Sequence, residues 1–511
     1  MKRLPKSGRG WKAYLVITPL AVIAGLLFAA GCTVGPRYSR PSVQVPPVYK
    51  ETGAWKQAQP SEQALGGEWW TMFNDPRLNS LQQQVNVSNQ NLKAAEAQFR
   101  QARAILRYNR ADYYPTITGG ASATRAHTSH NRQPSSTVLA GRTYTDLVLP
   151  VDLSYQADVW GRVRRTVEAS REQAQASAAD LAAVNLAMHA DLALYYFQAR
   201  SLDAEEQLLN STVSDYERAL QLTQNRFQGG LASALDVEQA RTQLQATRAQ
   251  AIDVGVLRAQ YEHALATLIG TPAPSFTLAP LPLATPPPSI PPGLPSELLE
   301  RRPDIAAGER RVAAANAQVG IATSAYYPVL NLAAAAGFES GRITTLISGP
   351  SILWSAGPAA AVTLFDVGRR RAVSEQARAA YDQAVANYRQ TVLTGFQQVE
   401  DQLTAITLLQ QEAQVQGDAV AAAQKALTIA TNRYKGGVTS YLEVITAQNA
   451  ALSNEVSAVN ILGRRMASTV LLIQALGGGW NSSTLPARFS NLNTPSGTQS
   501  AQAAGAVSAP R

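Results

Sequence analysis

The chain has 511 residues, four histidines, one cysteine and a formal net charge of +9. The single cysteine, Cys32, excludes disulfides within the chain, CxxC redox motifs and thiolate metal clusters, and the histidines are too scattered to form a metal site. Five basic residues fall in the first twelve positions, before any acid. The remainder carries only about +4, a charge that gives no reason to expect nucleic-acid binding.

Residues 1–31 have the pattern of a secretory signal. A basic start is followed by an apolar run over residues 13–30, and the segment ends in Ala29-Ala30-Gly31-Cys32. The alternative is a membrane-spanning helix, which 18 residues with Pro19 inside make marginal. The ending resembles a bacterial lipoprotein processing box, which implies cleavage before Cys32 and lipidation of that residue. Thr33, rather than Asp, follows Cys32. This resembles the pattern of lipoproteins that are sent on to the outer membrane.

The rest of the chain reads as two copies of one unit. The Tyr-Tyr-Pro motifs that end at Pro115 and Pro328 are 213 residues apart, and the Gly-Gly turns in NRFQGGLASALDV and NRYKGGVTSYLEV are 207 apart. The predicted organisation is an extended arm (32–74), a first repeat (75–270), a Pro-rich linker (271–295), a second repeat (296–480) and a low-complexity tail (481–511).

Each repeat predicts one very long helix. Residues 161–228 and 368–435 contain no proline, and at 1.5 Å per residue each helix would be about 100 Å long. The second run carries a heptad of Val385, Val392, Val399, Ile406, Ala413, Val420, Leu427 and Tyr434. A heptad alone favours an ordinary coiled coil. Two shorter helical runs, 75–112 and 231–269, have together the length of one long helix when they are placed end to end. Each repeat is therefore expected to form two helical rods of equal length.

Strand-like segments lie between these helices. Residues 116–124, 146–156 and 330–338 alternate between apolar and polar or small side chains, and 357–365 is a weaker fourth candidate. About ten residues is the length that a tilted membrane strand needs. Aromatic residues collect at one end of the strands, as in an interfacial girdle: Tyr113, Tyr114, Trp160, Tyr326, Tyr327 and Phe365. Alternation alone fits a half-buried soluble sheet equally well.

The number of strands separates these two interpretations. Four strands leave two open edges and cannot close a barrel, and a membrane tolerates no open edge. Two copies of the chain would give eight strands with a filled interior, and three copies would give twelve with a pore. The predicted fold is therefore mainly α, with a membrane β-barrel portion completed by other copies of the chain.

The sequence closely resembles the TolC-type outer-membrane efflux channels, in particular their lipoprotein branch. The matching motifs span nearly the whole mature chain: CTVGPRYSRP, WWTMFNDPRL, the two YYP motifs, LPSELLERRPDI, DVGRRR, NRYKGGVTSYLEV and ALGGGW. The resemblance implies a homotrimer with one 12-stranded barrel in the outer membrane, continuous with a long α-helical barrel across the periplasm. It also implies a periplasmic membrane-fusion adaptor and an inner-membrane transporter of the resistance-nodulation-division type as partners. No cofactor or catalysis is expected.

The resemblance also assigns roles to the Gly-Gly turns. They become the periplasmic tips of helical hairpins, and adaptor contact maps to Gly230, Leu231 and Ala232 in one repeat and to Gly437, Val438 and Thr439 in the other. A purely structural turn is the alternative.

A gate beside these tips is also implied by the resemblance. Leu442 matches a family position, but Thr446 and Asn449 stand where related channels have Asp and Arg. Leu235 and four charged residues, Asp236, Glu443, Arg226 and Arg433, lie near the tips, and the charges either form ion pairs or stay solvated. The sequence therefore predicts a gate that depends on apolar closure by Leu442 and its neighbours.

Two other functions stay open. Related channels also serve as exit ducts for type I protein secretion, although the lipid-anchored start and the RRPDI motif favour small-molecule efflux. A lipoprotein scaffold that bridges the envelope without a pore is the second. No paired carboxylates, activated nucleophile, phosphate loop or metal spacing indicates an enzyme.

Overall fold

The computed structural model describes residues 33–50, 67–129, 141–290 and 295–485. The predicted signal peptide, Cys32 and the tail beyond residue 485 lie outside this part of the chain. The chain divides into two compact units. The first comprises Met1–Gln44, Glu96–Ser177 and Ala307–Val392, and the second comprises Val45–Ala95, Ala178–Ala306 and Leu393–Arg511.

Helices account for most of the described residues, as predicted. They are α1 (Pro76–Ser88), α2 (Gln90–Ala111), α3 (Arg162–Gln228), α4 (Ala234–Leu268), α5 (Leu298–Arg301), α6 (Pro303–Ser324), α7 (Arg369–Lys435) and α8 (Tyr441–Ala475). Helices α3 and α7 have 67 residues each, and α4 and α8 have 35 each. The predicted limits of α3, α4 and α7 are correct to within three residues.

The helix predicted over 75–112 is instead two helices. Asp75 caps α1 by accepting hydrogen bonds from the backbone N–H groups of Arg77 and Leu78. At Asn89 the backbone turns to an extended conformation, with ψ of 124°. The Asn89 side chain then accepts from Leu92 N at 2.9 Å and donates to the Leu268 carbonyl at 2.8 Å. Asn89 therefore ends one helix and caps the next, because a short amide competes well for backbone partners.

Five strands form one antiparallel sheet in the first unit. They are β1 (Thr116–Gly119), β2 (Ser122–His127), β3 (Thr143–Ala157), β4 (Val329–Ser340) and β5 (Ile352–Ala361). Both β1 and β2 pair with β3, which pairs with β4, and β4 pairs with β5. Within the described residues, the outer edges of β1, β2 and β5 pair with no further strand.

Two of the strand predictions need correction. The segment 116–124 is interrupted at residues 120 and 121, opposite Pro150 of β3, which has no N–H to contribute to the ladder. The fourth strand spans Ile352–Ala361 rather than 357–365, so Phe365 lies beyond its end. Pro358 lies inside β5 opposite Leu332 of β4 and contributes no N–H to the ladder.

The register separates an apolar face from a polar one, because paired residues share a face and successive residues alternate. The apolar face includes Ile117, Leu147, Leu149, Val151, Leu153, Tyr155, Leu330, Leu332, Ala334, Ala336, Phe338, Ile352, Trp354 and Ala356, and it becomes polar only towards the β2 end of the sheet, at Arg125, His127, Thr143, Thr145 and Ser340. The opposite face carries the polar side chains of Thr116, Thr118, Thr124, Asp146, Asp152, Ser154, Gln156, Asn331, Glu339 and Ser355. An apolar face of this extent must be covered by protein or by lipid.

The second unit has a large apolar core. Trp69, Leu78, Tyr196 and Leu265 are fully or almost fully buried in it, together with Val470 of α8. Helix α8 is long and apolar enough to cross a membrane. Its apolar residues Met466, Leu472 and Ile473 are buried in this same core, which accounts for that composition.

A buried ion cluster fixes the Pro-rich segment in the second unit. Asp203 of α3 has a fully buried side chain and pairs with Arg200 at 3.1 Å and with Arg258 of α4 at 3.0 Å. Arg200 also donates to the Ala279 carbonyl at 2.6 Å, and the Leu281 N–H donates to Asp203 at 2.8 Å. The described part of the predicted linker, 271–290, is thus attached to both helices by charge-assisted hydrogen bonds.

His189 on α3 is buried in the second unit as a neutral ring. It stacks on Trp70 at 4.4 Å, its Nδ1 donates to Gln82 Oε1 at 2.5 Å, and its Nε2 lies 3.0 Å from the side-chain amide of Asn86, which can donate to it. Burial lowers the pKa of His189 from 6.5 to about 4. The charged form is therefore disfavoured in the folded protein.

We expect His189 to make stability depend on pH. Because its folded pKa lies below the unfolded value, its contribution is complete above pH 6.5 and is lost as the pH falls towards 4. Within that window the free energy of unfolding should fall by about 1.4 kcal/mol per pH unit from this group, and His189→Gln should remove that slope. Thermal unfolding of both proteins across the window measures the difference. If the stability of the two proteins fell in parallel as the pH was lowered, the pH dependence would not come from His189.

Candidate functional site

Two helical hairpins in the second unit carry most of the predicted site residues. The α3–α4 hairpin reverses at Gly230, with φ of 71°, and the α7–α8 hairpin at Gly437, with φ of 73°. Leu231 N donates to the Arg226 carbonyl and Val438 N to the Arg433 carbonyl, at 2.7 and 2.9 Å. This is the closing hydrogen bond of a Schellman motif, in which glycine adopts positive φ without a side-chain clash.

The two hairpins pack together through an aromatic cluster. Tyr434 and Tyr441 are almost fully buried, with ring centroids 5.2 Å apart, and they pack with Ala240 and Val444. Arg226 lies over the Tyr434 ring at 4.8 Å and donates to the Lys435 carbonyl at 3.0 Å. Arg226 therefore joins the end of α3 to the end of α7.

The residues predicted for the gate lie on the first turn of α4 and on the first three turns of α8. Leu235 and Leu442 are 65% and 57% exposed in the single chain. Thr446 donates to the Leu442 carbonyl at 2.9 Å, and Asn449 accepts from Gln243 of α4 at 2.7 Å. Thr446 and Asn449 thus make neutral hydrogen bonds where the resemblance would place a charged pair.

The charged residues near the tips behave differently from one another. Asp236 forms a capping box with Ser233 at the start of α4 rather than an ion pair with Arg226. Glu443 lies 3.9 Å from Arg433, with both side chains about half exposed. Such a pair contributes little stability, on the order of 0–1 kcal/mol.

The predicted adaptor-contact residues are presented at the surface of the single chain. Leu231 is 72% exposed and Val438 is 69% exposed. Gly230 and Gly437 are also exposed, whereas Ala232 and Thr439 are half-buried. Two exposed apolar side chains on adjacent tips are suited to contact with another protein.

Sequence reasoning missed Tyr441 as part of this site. Burial, with the nearby Tyr434, raises the pKa of Tyr441 to about 12, so its hydroxyl stays protonated. The signal was present in the spacing, since Tyr441 follows Tyr434 by seven residues across the turn. Sequence reasoning treated Tyr434 only as the last position of a heptad.

In the first unit, the predicted aromatic girdle lies where strands meet helices. Trp160 stacks on Tyr327 at 4.9 Å and donates from Nε1 to the Pro328 carbonyl at 2.7 Å. Arg370 lies over the Tyr326 ring at 5.5 Å. Tyr114 and Phe365 are 73% and 84% exposed, and Tyr113 is 39% exposed. Girdle residues from both repeats therefore lie at one end of the sheet.

The part of the chain that the structure describes contains no group of three or more His, Cys, Asp or Glu side chains arranged to hold a metal ion. The tips of both hairpins present exposed apolar side chains, Leu231, Leu235, Val438 and Leu442, beside neutral hydrogen bonds of Thr446 and Asn449.

Comparison with known proteins agrees with this geometry. The sequence profile of the outer membrane efflux protein family matches residues 81–271 and 294–478, well over half of the chain. The chain belongs to this family. The outer membrane efflux proteins are transport proteins of the bacterial outer membrane.

Named relatives match most of the chain. The antibiotic efflux pump outer membrane protein ArpC of Pseudomonas putida is 33% identical over 481 residues, which cover 94% of this chain and 99% of ArpC. A toluene efflux pump outer membrane protein, TtgC of Pseudomonas putida, is 32% identical over the same shares. The solved outer-membrane channel OprN aligns with a TM-score of 0.83 and 31% identity, covering 88% of this chain and all of that one. This outer membrane efflux protein therefore shares its fold with a known channel.

Proposed function

We propose that this protein is the exit channel of a tripartite efflux system and works as a homotrimer. The observation that supports this most strongly is the sheet, which has one apolar face and two unpaired edges. Lipid can cover the face but cannot satisfy the edges. Because β1 and β2 pair with successive parts of the same edge of β3, the sheet is four strands wide. Three copies would therefore give a 12-stranded barrel wide enough for a pore, with α3, α4, α7 and α8 forming a helical tunnel in the periplasm. The equal lengths of α3 and α7, and of α4 and α8, support an internal duplication.

The proposed partners are a periplasmic membrane-fusion adaptor and an inner-membrane resistance-nodulation-division transporter. The adaptor would contact the tips at Gly230, Leu231 and Ala232 and at Gly437, Val438 and Thr439. The proposed cargo is small toxic organic molecules, because relatives are named for toluene and antibiotic efflux. A type I secretion duct is the competing function.

Lipidation of Cys32 is part of the proposal. Val34 N donates to the Trp160 carbonyl at 3.1 Å, which places the chain just after Cys32 beside the girdle residue Trp160. Acyl chains on Cys32 would then start at the level of the membrane surface. Each buried lipid methylene would add about 0.8 kcal/mol of anchoring.

Two measurements test the proposed function. Purified protein in planar bilayers should form conducting pores, whereas an envelope scaffold would not conduct. Deletion of the gene should sensitise cells to solvents, antibiotics or other small toxic compounds. Normal resistance to all of them, together with loss of a secreted protein, would support the secretion duct instead.

We expect Leu442→Ser to open the channel at its periplasmic end. Leu442 and Leu235 present apolar side chains where the resemblance places the gate, so a hydroxyl there should favour water entry and raise open-channel current severalfold. Leu257→Ser is the matched control, since Leu257 is an exposed leucine of α4 away from the tip. Single-channel recording measures both. Equal currents would contradict apolar closure.

Apolar closure also predicts weak pH dependence. Leu442, Thr446 and Asn449 do not titrate, and the nearby carboxylates are already engaged, Asp236 in the cap of α4 and Glu443 with Arg433. Wild-type conductance should therefore change little through the carboxylate range, whereas Thr446→Asp should introduce a transition at about pH 4. Strong pH dependence in the wild type near a carboxylate pKa would contradict the proposed gate.

A further inference from the structure

The helix–strand junctions gather at one end of the sheet. Helix α2 leads into β1 and α6 into β4, while β3 leads into α3 and β5 into α7. The first residue of β1, Thr116, pairs with Ser154 near the end of β3, and Val329 at the start of β4 pairs with Ala361 at the end of β5. The junction residues 107–114, 158–171 and 366–375 therefore form one surface, which we name the junction collar.

The junction collar is strongly basic. It contains nine arginines, no lysine and five carboxylates. Four of these arginines form ion pairs within the collar: Arg164 with Asp158, Arg165 with Glu168, Arg370 with Asp366, and Arg371 with Glu375. Arg107, Arg162 and Arg369 are exposed and have no carboxylate partner among the residues that the structure describes. The collar thus keeps cationic groups that nothing in the described chain neutralises.

Apolar side chains are exposed beside these cations. Leu364, Phe365 and Val367 are 88%, 84% and 85% exposed, just before Arg369. Val367 has φ of 53°, a conformation that β-branched residues rarely adopt. Asp366 holds it by accepting from the N–H and Nε of Arg370, at 3.2 and 2.7 Å. The chain therefore keeps a strained turn whose apolar side chains contact little of the described protein.

We propose that the junction collar binds anionic phospholipid in the periplasmic leaflet of the outer membrane. Leu364, Phe365 and Val367 lie among the acyl chains, and the guanidinium groups of Arg162 and Arg369 bind headgroup phosphates. Arginine suits phosphate because its planar fork can donate two parallel hydrogen bonds. Apolar groups beside unneutralised cations are the pattern of proteins that lie in a charged lipid interface. The inference rests on the proposed barrel, which sets this end of the sheet at the membrane surface.

Native mass spectrometry of the full-length protein, titrated with phosphatidylglycerol or phosphatidylethanolamine, tests the proposal. The test variant is Arg162→Gln with Arg369→Gln. The control is Arg378→Gln with Arg389→Gln, two exposed arginines further along α7. At about 1 kcal/mol for each cation near an anionic surface, phosphatidylglycerol affinity should fall about 30-fold in the test variant and stay unchanged in the control. Added KCl should weaken the wild-type interaction.

Equal affinities in the test and control variants would overturn the proposal, as would equal wild-type affinity for the two lipids. A second copy of the chain could instead cover the apolar residues. In that case Phe365→Ser would dissociate the oligomer without lowering phosphatidylglycerol affinity, which would also overturn it. Conductance separates this inference from the channel function. If the Arg162→Gln, Arg369→Gln variant conducts and binds phosphatidylglycerol normally, only the lipid site is contradicted. If the wild type does not conduct, the channel function is contradicted.

Discussion

Asp203→Ala is expected to destabilise the second unit by about 3–5 kcal/mol, the cost of removing one partner from a buried ion pair. Its carboxylate, which is fully buried, accepts from Arg200, Arg258 and the backbone N–H of Leu281. Arg258 would keep Glu262, but Arg200, which is also buried, would lose its only ion pair in the described chain. The segment around Leu281 would lose its attachment to α3 at the same time.

Thermal unfolding and limited proteolysis measure this effect. The variant should unfold at a lower temperature and be cleaved faster within residues 276–290. Glu238→Ala is the matched control, because Glu238 and Arg241 form an exposed pair of α4, and such a pair contributes roughly 0–0.5 kcal/mol. If both variants unfolded like the wild type, the cluster would have no stabilising role.

Val151→Lys is expected to block assembly in the membrane. Val151 lies near the middle of β3 on the apolar face, opposite Gly119 of β1 and Ala336 of β4. These small neighbours leave room for a lysine, so the effect would come from its charge. A lysine facing lipid near the bilayer midplane costs about 2–4 kcal/mol.

Ser154→Lys is the matched control for this effect. Ser154 is on the same strand but on the polar face, where it pairs with Thr116 and Ala333. In a barrel this face lines the lumen, so the protein should insert normally and change only its ion selectivity. The yield of heat-resistant oligomer in outer membranes measures both variants. Equal yields, or a larger loss for Ser154→Lys, would contradict the assignment of the faces.

Long-range patterns made the helices predictable. Residues 161–228 and 368–435 lack proline and begin and end near glycines with positive φ, so their limits could be predicted closely. The alternation in residues 146–156 likewise placed the apolar face of β3 correctly. Period and chain-breaking residues are properties of the sequence itself, and tertiary contacts did not override them here.

Features that depend on a spatial neighbour were harder to predict. The break opposite Pro150 needs the pairing of β1 with β3, and the helix break at Asn89 needs its bond to the Leu268 carbonyl. The need for glycine at position 337 also depends on a neighbour in space, since a side chain there would clash with Leu149 and Pro150 of β3. At the tips, the sequence identified Leu442 and Arg226 but could not show that Arg226 stacks on Tyr434.

The central claim is that one chain supplies only part of a barrel, whose edges must be completed by identical chains. Native mass spectrometry of the protein extracted in mild detergent tests this most directly, because it counts chains without assuming a structure. The account predicts a complex of three chains that also conducts when placed in a bilayer. A conducting species that contains a single chain would contradict it, since the described sheet could then close without its neighbours.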